Sequence, residues 1–292
     1  MDWRQVTIIG AGLLGGSIGL AMKAQGMGAR RVAWARRQEV VDLCLSLDAF
    51  DEATTDLDQA VSGSDLVILC VPVSLMEPLA RRALSSLAPG AVLTDVGSVK
   101  AEVVAALEPL LAVGSATFVG SHPMAGSEQV GMEAASADLF LRRVCAVTPT
   151  ERVAEETLKR VEGFWQNLGM EVLRMSPERH DGVVARCSHL PHIVASQLAA
   201  AVLRVPDDAL MTTMAGTGFR DTSRLASGSP EMWRDIAQSN RNAILVELDA
   251  FEKELHAFRE ILSSGDIERL EAYFRRSKVA RDTWMENEDG AT

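Results

Sequence analysis

An alternation running through the first 175 residues restricts the possible folds of this chain more than any other feature. Short apolar runs at 6–9, 32–35, 66–70, 92–95, 118–120, 145–148 and 172–174 read as strands, and the segments 14–25, 38–47, 75–86, 100–111 and 153–168 between them read as helices. Near-continuous apolar strands separated by helices require a sheet buried on both faces, which in practice means parallel strands. Right-handed crossovers then make the expected domain an α/β, Rossmann-type doubly wound parallel sheet spanning 1–175.

The first strand leads directly into Gly10-Ala11-Gly12-Leu13-Leu14-Gly15, which opens the first helix. Gly10 allows the tight turn, Gly12 lets the backbone approach a pyrophosphate, and Gly15 lets helix and strand pack closely. The helix N-terminus, through Leu13 and Leu14, offers unpaired N–H groups and a positive dipole end to phosphate. Val71 and Pro72, just past the 66–70 strand, complete the expected cofactor-binding set. An NAD site usually has an acid at the end of the second strand to bind the ribose hydroxyls. Here Arg36 and Arg37 stand there, with no acid before Glu39. Two guanidinium groups suit the extra phosphate of NADP, so NADP is expected in preference to NAD.

Near residue 176 the strand-like runs stop, and 176–292 is expected to be an all-α domain. Ser176-Pro177-Glu178 has an N-cap, a proline at the first helical position and an early acid, and Ser229-Pro230-Glu231 repeats the pattern. From 240 to 262, Ile244, Leu248, Phe251, Leu255, Phe258 and Leu262 step by three or four, forming one apolar stripe. Such a stripe must be buried, in a bundle core, in a subunit interface, or in both. Gly265 is the expected stop, 266–284 a last helix, and the polar tail after it is expected to fray.

The formal charge of -11 excludes the cationic field that a nucleic-acid surface requires. It leaves room for a small anionic substrate, which needs only one or two placed arginines. Cys44, Cys70, Cys145 and Cys187 are scattered without a CxxC, which argues against a disulfide framework or zinc site and fits a reducing compartment. No basic region followed by an apolar run precedes the first strand, and no apolar stretch approaches the roughly 20 residues that span a bilayer. The expectation is a soluble cytoplasmic protein with no membrane contact.

Two segments follow apolar runs at the sheet's carboxyl edge, where open α/β sheets place ligands. They are Asp95-Val96-Gly97-Ser98-Val99-Lys100 and Gly120-Ser121-His122-Pro123-Met124-Ala125-Gly126-Ser127-Glu128. A histidine in one loop and a serine hydroxyl in the next form a credible proton acceptor and orienter, although a strand-end histidine is as often a structural hydrogen bonder. His189 and His192 are three apart and would share a helix face, with Pro191 kinking or interrupting that helix. No third histidine or clustered carboxylate has a suitable spacing, so no metal is expected. His180 and His256 carry no expectation beyond helix-surface chemistry.

Together with His180-Asp181, Ser188-His189-Leu190-Pro191-His192 and Gly216-Thr217-Gly218-Phe219-Arg220-Asp221-Thr222-Ser223-Arg224, these segments closely resemble the prephenate/arogenate dehydrogenases. The resemblance runs in order from residue 6 to about residue 240. It implies a monofunctional tyrosine-pathway enzyme, without a chorismate mutase or C-terminal regulatory domain. Such an enzyme would decarboxylate prephenate or arogenate oxidatively, to 4-hydroxyphenylpyruvate or tyrosine, and would form a homodimer through its helical domain. The resemblance further implies that His122 accepts the ring-hydroxyl proton and that Ser98 hydrogen-bonds both hydroxyl and imidazole. Arg224 would bind a substrate carboxylate, Trp233 line the cleft, His192 lie near the substrate, and Glu128 influence discrimination between substrates. The element before Arg224 reads GTGF where many relatives have a third glycine.

Two other readings compete. A β-hydroxyacid dehydrogenase would carry a lysine on the helix opening the second domain, where this chain offers only histidines. A non-catalytic NADP-sensing protein could lose Ser98, His122 and Arg224 without penalty, yet all three are present.

Overall fold

The computed structural model describes residues 3–290 apart from 115, 127, 128 and 205–208, and does not describe the side chains of 209, 212 and 288–290. Packing divides the chain into two compact units, Met1–Arg241 and Asn242–Thr292.

The first unit is built on an eight-stranded sheet of order β3-β2-β1-β4-β5-β6-β7-β8. Its first half runs β1 (Gln5–Ile9), α1 (Leu13–Ala24), β2 (Arg30–Trp34), α2 (Gln38–Ser46), β3 (Glu52–Thr54), α3 (Leu57–Val61), β4 (Leu66–Leu69) and α4 (Val73–Ala83). The second half adds β5 (Val92–Asp95), α5 (Ala101–Ala112), β6 (Thr117–Pro123), β7 (Val144–Thr148), α6 (Glu155–Asn167) and β8 (Glu171–Arg174). Side chains alternate between two cores, as they must in a sheet covered on both faces. Val6, Ile8, Leu66 and Ile68 enter one core, while Ile9, Val67 and Leu69 enter the other. Strand order reverses between β1 and β4, which opens the crevice in which doubly wound sheets bind ligands.

The Rossmann-type sheet followed by helices is the expected architecture, with three differences. β3, three half-buried residues at the sheet edge, is too short for a period-2 pattern to reveal. β7 pairs antiparallel to β6, so the sheet is not wholly parallel. β6 also runs three residues further than its apolar stretch, because β7 supplies pairing partners through Ser121, His122 and Pro123.

The rest of this unit is helical: α7 (Pro177–Val184), a π-helical turn (Ala185–His189), α8 (Leu190–Val202), α9 (Ala209–Met214), α10 (Thr217–Ser223), a 3-10 turn (Arg224–Ser227) and α11 (Pro230–Ser239). The expected caps form: Ser176 accepts the Arg179 N–H and Ser229 accepts the Met232 N–H, at 3.1 and 3.3 Å. Pro191 does interrupt the helical path. Its ring and missing N–H cannot continue an i→i−4 ladder, and the wide π turn stands where the register shifts.

The second unit is a helical hairpin, continuing α12 (Arg241–Ser264) and returning through Gly265, at φ 70°, into α13 (Ile267–Gly290). Phe258 packs on Tyr273 and Phe274, with ring centroids 5.0 and 5.8 Å apart. Helix α13 extends to Gly290, through most of the tail expected to fray. Phe251, Leu255 and Leu262 of the apolar stripe remain exposed on this chain. Among the described residues, no helix is long and apolar enough to cross a membrane.

Candidate active site

The glycine-rich turn has the stereochemistry a dinucleotide requires. Gly10 sits at φ +104°, where a Cβ would collide with the Cys70 carbonyl and lie 2.7 Å from Val71 Cγ1. At Gly15 a Cβ would collide with the Gly10 carbonyl and lie 2.9 Å from Ile8 Cγ2, so helix and strand meet without room for any side chain. Gly12, by contrast, is the N-cap of α1 and has no atom within 4 Å of its would-be Cβ. No side chain caps α1 and no acid stands in its first turn, so its N–H groups and dipole end remain available to phosphate. Val71 and Pro72 follow β4 across the crevice, with Pro72 as the N-cap of α4. Arg36 and Arg37 are exposed between β2 and α2, and neither guanidinium group has a hydrogen bond or ion pair among the described residues. These residues fit a nicotinamide dinucleotide, with the two cations positioned beyond the strand that normally contacts the ribose.

A buried network joins β5, β6 and the start of α5. Asp95 accepts N–H groups from Gly97 and Ser121, at 2.8 and 3.0 Å, and an ion pair from Lys100. The Lys100 ammonium also donates to the Ser121 carbonyl at 2.8 Å. Burial pushes the Lys100 amine below its ordinary value, with the Asp95 carboxylate opposing the shift. The Ser121 hydroxyl meets Thr94 Oγ1 at 2.7 Å and the Trp165 indole N–H at 3.1 Å. The loop carrying Ser98 is thus fastened to the strand carrying His122.

Helix α7 completes this arrangement. His122 Nδ1 lies 2.8 Å from His180 Nε2, and His180 Nδ1 lies 2.8 Å from Asp181 Oδ1. The Asp181 carboxylate also accepts the backbone N–H groups of Lys100 and Ala101, at 2.7 and 2.9 Å, and so caps α5. His122 is 8 % exposed and His180 is 1 % exposed. Burial above all, reinforced by His180, Lys100 and His189, holds the proton affinity of His122 well below the ordinary 6.5. At neutral pH its imidazole is therefore neutral and able to accept a proton.

His189 and His192 flank Trp233, the first edge-on at 5.9 Å between ring centroids, the second stacked at 3.5 Å. Gly228 makes this stack possible, since a Cβ there would lie 2.6 Å from Trp233 Nε1 and 2.8 Å from His192 Cε1. The Asn240 amide donates to the Asp181 carbonyl at 2.9 Å and lies 3.1 Å from His189 Nδ1. His189 Nε2 is buried with no partner among the described residues, and burial lowers the His189 pKa to about 4. Burial lowers that of His192 too.

The structure brings together His122, the Ser98 loop, His192 and Trp233 by way of α7 and α8. Ser98 is half-buried and forms no hydrogen bond to His122; the Nδ1 partner is His180. Arg224 is exposed on its 3-10 turn, which packs against α8, and has no ion pair among the described residues. Glu128 lies outside the described residues.

His180 is the main correction to the sequence reading, because it is buried rather than on the helix surface. Asp181, Asp95, Lys100 and Asn240 were also missed as partners in the site. A signal for His180 and Asp181 existed. The buried face of α7 is Pro177, His180, Asp181 and Val184, the three-and-four spacing of an inward stripe, so a polar pair there must be buried and partnered.

Comparison with known proteins identifies the family. Residues 18–174 match the family model for the prephenate dehydrogenase nucleotide-binding domain, and residues 176–276 match that for the prephenate dehydrogenase dimerization domain. The chain is 34 % identical to a cyclohexadienyl dehydrogenase of Zymomonas mobilis, over 96 % of this chain and 95 % of that protein. It is 34 % identical to a prephenate dehydrogenase of Bacillus subtilis, over 98 % of this chain and 77 % of that one. Among solved structures, a prephenate dehydrogenase from Aquifex aeolicus in complex with hydroxyphenyl propionate and NAD+ superposes with a TM-score of 0.91, at 32 % identity, covering 97 % of this chain and 99 % of that one. A Synechocystis arogenate dehydrogenase superposes at 0.82, with 28 % identity, covering 96 % and 99 %. With its two halves matched in order and its length spanned by such relatives, this chain belongs to the prephenate dehydrogenase family.

Proposed function

We propose that this protein catalyses the oxidative decarboxylation of prephenate, arogenate or both in tyrosine biosynthesis, with NADP preferred to NAD. The observation that carries the reading is the buried His122, held by His180 in a strand at the same sheet edge as the open, uncapped start of α1. A bound nicotinamide would supply the hydride acceptor. The protein must orient the ring carbon toward it and remove one proton. His122 takes the proton of the ring hydroxyl as hydride leaves the same carbon. The para carboxylate then departs as carbon dioxide, the electron pair it leaves behind completes the aromatic ring, and the phenolate oxygen takes back the proton held by His122.

The remaining roles follow from residue chemistry. Ser98 hydrogen-bonds the substrate hydroxyl, Trp233 and His192 form an aromatic wall, and the exposed Arg224 guanidinium binds a substrate carboxylate. Glu128 acts in discrimination between a keto and an ammonium side chain. Arg36 and Arg37 bind the additional phosphate of NADP. A dinucleotide domain at 1–175 and a helical substrate and dimerisation domain at 176–292 describe the division of labour. The exposed Phe251, Leu255 and Leu262 of α12 are the face through which two copies form a homodimer.

The test is the initial rate of NADP and NAD reduction, each with prephenate and with arogenate. Turnover is expected with at least one substrate, faster with NADP. Silence in all four mixtures while NADP still binds would overturn the assignment of His122 and leave only a dinucleotide domain.

A further inference from the structure

We infer that His180 and Asp181 are positioning residues that lock His122 in the tautomer bearing its proton on Nδ1, leaving the Nε2 lone pair as the base. The inference rests on the proposed role of His122. It comes from the direction of the two side-chain hydrogen bonds that link Asp181, His180 and His122, followed outward from the one group whose role is unambiguous.

A carboxylate only accepts, so the Asp181 contact assigns a proton to His180 Nδ1. Two backbone N–H groups at the start of α5 hold the same carboxylate and prevent it from turning away. A neutral His180 with its proton on Nδ1 has a lone pair on Nε2. The 2.8 Å contact to His122 Nδ1 must then be made by a proton on His122. One hydrogen per contact is thereby assigned along the chain. Each step fixes the next, and the last nitrogen, His122 Nε2, is left bare.

The surroundings reinforce this arrangement. The groups acting on His122 are His180 from α7, Lys100 just before α5, Cys145 from β7 and His189 from the π turn, with Asp181 behind His180 and Asp95, at the end of β5, behind Lys100. Lys100 places a positive charge near the ring, which opposes a second proton there. The ring planes of His122 and His180 meet at 69°, edge to face, so Nδ1 cannot leave its partner without rotating one of two buried imidazoles. The same pair also ties α7 to β6, so the base is oriented only when the first helix after the sheet is docked.

The test begins with the unaltered protein. With histidine labelled by 15N and the signals of its five histidines assigned with single variants, His122 is expected to show a protonated Nδ1 and a bare Nε2 at neutral pH. A protonated Nε2 with a bare Nδ1 would overturn the inference without any mutation. In the second arm, His180→Leu is expected to lower kcat about 100-fold, with the Kd for NADP unchanged within about twofold, because the ring loses its orienter and not its cofactor site. His180→Gln, whose amide can both accept from His122 and donate to Asp181, is expected to recover part of that loss. Full kcat in His180→Leu would sink the inference while leaving the base assignment intact. His122→Asn run in parallel separates the two: turnover retained there would remove the base assignment, and the positioning role with it.

Discussion

At the scale of single residues, the site is a set of groups whose ordinary properties have been changed by burial. His122 would be half-protonated near pH 6.5 in water, and burial lowers that value substantially. Because the base must be neutral, kcat/KM rises with pH through the titration of His122, and that rise lies below pH 6.5. The acid limb of a pH–rate profile is therefore expected to be complete by about pH 6.5, with a plateau above. A limb centred above pH 7 would show that another group carries the proton. Arg36 and Arg37 give a second residue-scale prediction. Replacing both with alanine is expected to reduce kcat/KM for NADP roughly 10- to 100-fold, the value of one or two charge-assisted hydrogen bonds, with little change for NAD. Equal losses with both cofactors would place the arginines elsewhere in the mechanism. His122, Arg36 and Arg37 could all be picked out from the sequence, since each stands within two residues of the end of an apolar run. His180 could not be by the same rule, because its partners lie 58 residues away and one residue away, and only the fold makes the first a neighbour.

The elements show why local motifs carry so much of this architecture. The turn between β1 and α1 contains three glycines with three different reasons, and two of them make opposite predictions. Gly15→Ala drives a methyl into the Gly10 carbonyl, so it is expected to destabilise the fold by roughly 3 kcal/mol or more. Gly12→Ala meets nothing in the folded chain, so its melting temperature should stay within a few degrees while NADP affinity falls, the methyl occupying space meant for the cofactor. Thermal unfolding and a cofactor titration on both variants check the pair, and a stable, tightly binding Gly12→Ala would sink the pyrophosphate reading. Helices whose starts are written locally, such as α7 and α11 with their Ser-Pro-Glu openings, are found at their sequence-derived positions. β3 and the far end of β6 are not, because their strand character comes from the partner alongside and not from their own apolar content.

On the scale of the whole molecule, the buried histidines make stability dependent on acidity. Above pH 6.5 a buried neutral histidine and an unfolded one are both uncharged, so neither favours unfolding. Below 6.5 the unfolded chain takes up the proton first, and for His189 this continues until the folded ring titrates near 4. Over that window the group removes roughly 1.4 kcal/mol of stability per pH unit, and His122 and His192 act with the same sign. Urea midpoints are expected to fall steadily from pH 6.5 to pH 5, with little change from 8 to 6.5; a midpoint flat down to pH 5 would mean these rings are hydrated. The fold class, the glycine-rich turn and the Ser-Pro-Glu helix starts were determined by sequence alone, because period, glycine placement and capping act within a few residues. Only the tertiary structure decided that His122 is paired with His180, that Asp181 caps α5, and that Gly228 leaves room for His192 to stack on Trp233. Those contacts join segments far apart in the chain, and their geometry exists only once the sheet and helices have packed.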